Sequence, residues 1–193
     1  MRKAQSGGEK PNVRKQKYLT PDQARRVIEA AGTVGRQQER DRLLLTLIYR
    51  HGLRVSEAVD LHWADFDLEG RQRTLRVRRL KGSKDSMHTL EPDTVRMLRR
   101  HKADSDGHLV FRSERGGPLS VDAVQVICKR AGDVAGLEFQ VHPHQLRHAC
   151  GFALAEEGTD TRLIQDYLGH RDIRNTVIYT ETSAARLAGV RVR

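Results

Sequence analysis

Thiols are scarce in this chain: Cys128 and Cys150 are the only two cysteines. They do not make a disulfide framework, and both read as small core residues rather than reactive ones. No hydrophobic run approaches the roughly 20 residues of a membrane span, and the N-terminus lacks the apolar core of a secretory signal. We therefore expect an intracellular protein with reduced thiols, cytoplasmic, with no membrane partner. Aromatic residues are few, at 5%. Acidic residues are outnumbered, 25 against 35 Lys and Arg, which leaves a net charge of +10. That excess points to a polyanionic partner, with nucleic acid as the first candidate, against the plainer alternative of a basic but inert surface. The chain also lacks a Walker-type glycine loop, clustered metal-binding carboxylates and any internal repeat.

With 37% hydrophobic and 31% charged residues over 193 positions, the composition is that of one globular domain, with room for a flexible tail. Residues 1–17 hold six Lys or Arg, one Glu, two adjacent glycines and a proline, and read as a disordered basic arm. Order is expected from Tyr18, so the domain proper is residues 18–193. Thr20, Pro21 and Gln23 form the opening of a helix that Gly32 ends. A second helix carries Leu43, Leu44, Leu45, Leu47 and Ile48 and stops near Gly52. The period then changes: Leu75, Val77 and Leu80 alternate up to a turn at Gly82-Ser83, which predicts a small arginine-rich hairpin. Pro92 opens a helix to about His101, "HLVF" is a short extended piece, and Ser120 caps a helix bearing Val124, Ile127, Cys128 and Ala131. Further helices are expected at about 145–157, 161–168 and 175–179. The sum is a mainly α domain with a small antiparallel sheet.

The densest chemistry lies in "HPHQLRHACGF", residues 142–152. His144 and His148 stand four apart on one helix face, a spacing that can hold zinc. Arg147 would place a fixed positive charge beside such an ion, and no further Cys or carboxylate pair lies close in sequence. Histidines that are only packed and hydrogen-bonded are the plainer alternative, and a grip on phosphate is the third. Three other places offer phosphate-binding groups at the edges of apolar elements. Arg54 follows Gly52 in "GLRVSEAV", Lys81 and Lys84 flank the hairpin turn, and His170 follows Gly169, nine residues before Tyr179. Singly, each has an ordinary reading: surface arginine, solvated lysine, capping histidine, core tyrosine.

Taken in order, these residues form one chemical set. Two guanidiniums can clamp the nonbridging oxygens of a phosphate and neutralise a pentavalent transition state. A tyrosine hydroxyl can attack phosphorus and hold it covalently, while lysine and histidine move protons. On "GLRVSEAVDL", the hairpin lysine and "HPHQLRHACGFALAEEGTDTRLIQDYLGHRDIRNTVIYT", the sequence resembles the catalytic domain of the tyrosine recombinase, or phage integrase, family. Within that family it is most similar to the short fimbrial phase-switch recombinases, on "RLIQDYLGHR" and "RRLKGS".

The resemblance implies the family's DNA breaking-rejoining fold, and a site-specific recombinase working through a 3′-phosphotyrosine intermediate, by inversion or integration. It implies Tyr179 as nucleophile, Arg54 and Arg147 as the clamp, and Lys81 as general acid, with Lys84 the alternative. His144 would help deprotonate the tyrosine, and His170 would donate to the phosphate. Glu57 would orient Arg54. His142 and His148 would have structural or supporting places, and Arg147 would point to DNA while Leu146, Ala149, Cys150, Ala153 and Leu154 face the core. Neither a metal nor any other cofactor is implied. The implied partner is double-stranded DNA with specific recombination sites, bound by a homotetramer in the nucleoid, and accessory DNA-bending proteins are compatible with it. The roughly 50 residues before Arg54 do not supply the N-terminal clamp domain of many family members. The five hairpin arginines, Arg71, Arg73, Arg76, Arg78 and Arg79, are expected on phosphates, as is the basic arm. A type IB topoisomerase-like nicking-closing enzyme, or a noncatalytic DNA-binding relative, is the alternative.

Overall fold

Thr20 opens the first helix as its neighbours dictate. Its hydroxyl accepts the Gln23 N–H at 3.2 Å, the Gln23 side chain accepts the Thr20 N–H at 2.9 Å, and Pro21 has no N–H to lose there. The computed structural model describes residues 18–79, 84–104 and 107–181, and α1 spans Pro21–Ala31, ending at Gly32. The basic arm 1–17, the hairpin turn with Lys81, and the tail beyond Glu181 lie outside the described residues.

Helix α2 (Gln38–His51) is the centre of the molecule. Leu43, Leu44, Leu45, Leu47 and Ile48 are all buried, an apolar content too broad for one stripe, and the helix is accordingly packed against α1, α4 (Pro92–Ala103) and α6 (Pro143–Glu156). Gly52, in the left-handed region at φ 56°, ends it and turns the chain into the short α3 (Val55–Val59). A three-stranded antiparallel sheet follows, in the order β1 (Phe66–Asp67), β2 (Thr74–Val77), β3 (Ser86–Thr89). Leu75 pairs with His88 across the hairpin, and β1 is a strand the alternation did not announce, being only two residues long. "HLVF" is a short extended piece: Leu109 makes an isolated bridge with His62, and Val110 N–H donates to Leu61 O at 2.9 Å.

Ser120 caps α5 (Val121–Val134) by accepting the Ala123 N–H at 3.1 Å. The last three helices, α6, α7 (Thr161–Leu168) and α8 (Arg174–Glu181), pack on one another around a second, smaller core of Cys150, Ala155, Ile164, Leu168 and Tyr179. Both cysteines are buried core residues, and burial pushes each thiol up to about 12.

Candidate active site

Three arginines converge on the end of α7. Gly169 follows that helix in the left-handed region, at φ 64°, where a side chain would be strained, and the turn presents three successive carbonyls on the negative end of the helix. Arg79 Nη2 donates to Tyr167 O, Arg147 Nη2 to Leu168 O at 2.6 Å, and Arg54 Nη2 to Gly169 O at 2.9 Å. Each comes from a different place in the fold: two residues past β2, helix α6 and the residue that opens α3.

The three share one anion as well. Glu57, on α3, accepts Arg54 Nη1 at 2.7 Å through Oε1. Its Oε2 accepts the Arg54 N–H at 2.8 Å and Arg79 Nη1 at 2.8 Å, and stands 3.9 Å from Arg147 Nη1. The orientation of Arg54 by Glu57 is as the sequence suggested. Arg147 differs from expectation: it is 2% exposed and its Nη1 donates to Gly52 O, so it faces inward, under Arg54. Desolvation, then the charge of Arg54, brings its guanidinium down to about 10. Of the hairpin arginines one departs from the expected phosphate contact, while Arg71, Arg73 and Arg76 are exposed. Arg79 is buried on Glu57, Arg78 pairs with Asp65 at 3.0 Å and Arg76 with Asp85 at 2.8 Å. A strand alternates faces, so Arg79 falls on the inward side with Leu75 and Val77; that period was the signal that marked it in the sequence.

The tyrosine lies beside this cluster. Tyr179 is 1% exposed, with its hydroxyl 2.9 Å from His148 Nδ1. Its ring packs edge-on to Phe152 at 5.0 Å and fills space left by Gly151, where a Cβ would lie 2.7 Å from two ring carbons. Burial pushes the phenol up to about 12, opposed by the Arg147 charge. His148 is held down to about 4 by desolvation and by His144 and Arg147. The group at the tyrosine oxygen is thus His148 rather than His144. His144 is one turn earlier on α6, exposed, and edge-on to the His148 ring at 4.3 Å. Desolvation, with Arg147 and Arg54 nearby, also lowers His144. His142 is exposed and caps α6, its N–H donating to Gln145 Oε1 at 2.8 Å.

His170 Nδ1 is 2.9 Å from the hydroxyl of the buried Thr176, which fixes its ring 6.2 Å from that of Tyr179. Desolvation and the two clamp arginines bring it down to about 3. Lys84, Gly169, His170 and Arg171 line a shared cleft of about 490 Å³. Lys81 lies outside the described residues. Tyr167, the other tyrosine near the motif, is committed elsewhere: its hydroxyl donates to Arg50 O at 2.9 Å and its ring lies against His88 at 3.9 Å. Of the six residues singled out in the sequence, five are therefore in or beside one site.

A mostly helical domain with a small antiparallel sheet, carrying two arginines, histidines and a tyrosine in this arrangement, is the catalytic domain of a tyrosine recombinase. The chain belongs to the phage integrase family, whose model it matches over residues 17–186. It is 46% identical over 184 residues to the type 1 fimbriae regulatory protein FimE of Escherichia coli K12, covering 91% of both chains. To the regulatory protein FimB of the same strain it is 40% identical over 187 residues, 94% of this chain and 92% of that one. Among solved structures it is similar to the XerH site-specific recombinase bound to its palindromic difH substrate after cleavage, at 26% identity and a TM-score of 0.77. That match covers 88% of this chain and 51% of XerH, so this chain spans about half of the solved recombinase.

Proposed function

We propose that this protein is a site-specific DNA recombinase of the fimbrial-switch kind, inverting a DNA segment between two sites through a 3′-phosphotyrosine. The observation that carries the reading is the Tyr179 hydroxyl on His148, one helical position from Arg147 in the clamp. A phenol with an ordinary value of 10 that is pushed higher needs its proton removed as it attacks, and a neutral imidazole at 2.9 Å is placed to take it. Tyr179 Oη then bonds to the scissile phosphorus and the 5′-oxygen leaves. Arg54 and Arg147 offset the charge that gathers on the nonbridging oxygens. His170, its Nδ1 hydrogen-bonded to the Thr176 hydroxyl, would donate from Nε2 to that phosphate, and the exposed His144 gives a second donor and supports His148. The leaving oxygen takes its proton from Lys81, assigned by its place in the motif, with Lys84 as the alternative from the His170 cleft. The 5′-hydroxyl of another strand reverses the step, so the phosphodiester count is conserved.

Exchange between two sites calls for four protomers on DNA, and residues 1–17 would serve as an arm on the phosphates beside a catalytic domain of residues 18–193. The identity of 46% to FimE and 40% to FimB supports the fimbrial-switch reading. No helix among the described residues is long and apolar enough to cross a membrane, in keeping with work on chromosomal DNA.

Recovery of covalently attached DNA from cells tests the reading without knowledge of the recognition sequence. Lysis in denaturant should yield Tyr179-linked DNA from wild type that maps to two inverted sites around a segment found in both orientations. Tyr179→Phe, which removes only the attacking oxygen, should yield none. Adducts undiminished in Tyr179→Phe would overturn the assignment.

A further inference from the structure

Arg79 has no role in the chemistry above, yet it is among the most enclosed charges of the molecule. Its side chain is 0% exposed, so it meets neither solvent nor DNA. An isolated guanidinium is not buried without reason, and everything that compensates this one belongs to the phosphate clamp. It touches the Glu57 carboxylate that orients Arg54, and the Tyr167 carbonyl that begins the run gripped by Arg147 and Arg54.

We propose that Arg79 is a positioning residue of the clamp, which neutralises Glu57 and ties down the end of α7 so that Arg54 and Arg147 keep their charge for a phosphate. The proposal rests on the recombinase reading of the site. Glu57 is needed to aim Arg54, but a buried carboxylate also cancels the cation that it aims. Counted by formal charge, three arginines against one carboxylate leave +2 for an anionic ligand; without Arg79 they leave +1. Without Arg79, moreover, Glu57 Oε2 has Arg147 as its nearest unshared cation, only 3.9 Å away. Closing that gap would draw Arg147 from Leu168 O and Gly52 O toward Glu57, and out of register with Arg54. The same side chain lies beside Gly169, where a Cβ would come 2.7 Å from Arg79 Nε, so Arg79 also sets the entry to His170.

A charge-balanced double variant separates this role from mere packing. Binding of inorganic phosphate, measured by calorimetry at constant ionic strength, should weaken about tenfold or more in Arg79→Met, the scale expected when a buried charge loses its partner. Adding Glu57→Gln to Arg79→Met should recover part of the lost affinity, since the uncompensated anion is then gone while the amide oxygen can still accept from Arg54. Adduct formation on a cognate DNA site should follow the same order, with a fall in kcat of on the order of 100-fold in Arg79→Met and little change in KM. Phosphate binding by Arg79→Met equal to wild type, or a loss that Glu57→Gln does not relieve, would overturn the proposal. Should Arg79→Met not fold, Arg79→Lys and Arg79→Gln make the comparison: the lysine keeps the charge though not the forked contact, so its phosphate affinity should exceed that of the glutamine variant; an equal or lower affinity overturns the proposal. The phosphate measurements need no recombination, so a wild type that forms no adduct but keeps this pattern fails the recombinase reading alone.

Discussion

Neutral His148 beside un-ionised Tyr179 makes the first proton transfer depend on two shifted groups. His148 sits near 4 and the phenol near 12, both moved first by burial, so neither is charged at neutral pH. The base form of His148 is therefore full from neutrality down to about pH 5, and only below that does protonation remove it. For adduct formation, kcat/KM reports the free enzyme. Its acid limb should centre near 4 instead of the 6.5 of an ordinary histidine, while the protein stays folded. His148→Ala should slow single-turnover adduct formation by on the order of 100-fold or more, and exceed the effect of His144→Ala. Equal effects would return the role to His144, and a limb at 6.5 would remove it from His148. The sequence held both histidines at i and i+4 on one face, so the site was legible to within one turn. What decided between them was the arrival of α8, a contact 31 residues away that no local pattern encodes. Arg147 was misjudged for a related reason. Its neighbours gave the core face of α6 correctly at Leu146, Ala149 and Cys150, but carbonyls from Gly52 and Leu168 make the interior hospitable to a guanidinium.

Among the elements, the C-terminus of α7 matters more than its eight residues suggest. Ordinary helix ends leave carbonyls to water, whereas this one spends three on arginines that also share Glu57. Gly169→Ala should therefore do two kinds of harm. A non-glycine residue in the left-handed region costs about 1 kcal/mol, visible as a lower urea midpoint. The new methyl would also meet Arg79, so adduct formation should fall by more than the stability loss accounts for. Activity that merely tracked the folded fraction would contradict the second effect. The helices themselves were largely legible, because caps and glycines are local signals: Thr20, Gly52, Pro92, Ser120 and Gly169 bound elements close to where the sequence put them. β1 was not, since two residues carry no period. Among the hairpin arginines, alternation along the strand separates the buried Arg79 from the exposed Arg76.

For the molecule as a whole, acid is the natural adversary. His51 and His88 are buried with ring centroids 5.5 Å apart, and each is brought down to about 3. Desolvation is the main cause for both, followed by Arg50 for His51 and by His51 for His88. In the unfolded chain they titrate near 6.5. Between those values the unfolded state binds more protons, so their contribution to stability is complete above about 6.5 and drains away as pH falls toward 3. The urea midpoint should be clearly lower at pH 5 than at pH 7.5, with His170 and His148 adding to the slope. An unchanged midpoint at pH 5 would mean that these histidines are not held neutral. Tyr179, finally, is on α8, the last helix described, 125 residues after Arg54. During synthesis the arginines of α3 and α6 leave the ribosome before it does, so a chain stopped short of α8 carries the clamp residues without the group that attacks. The nucleophile is thus the last of the described site residues to be made.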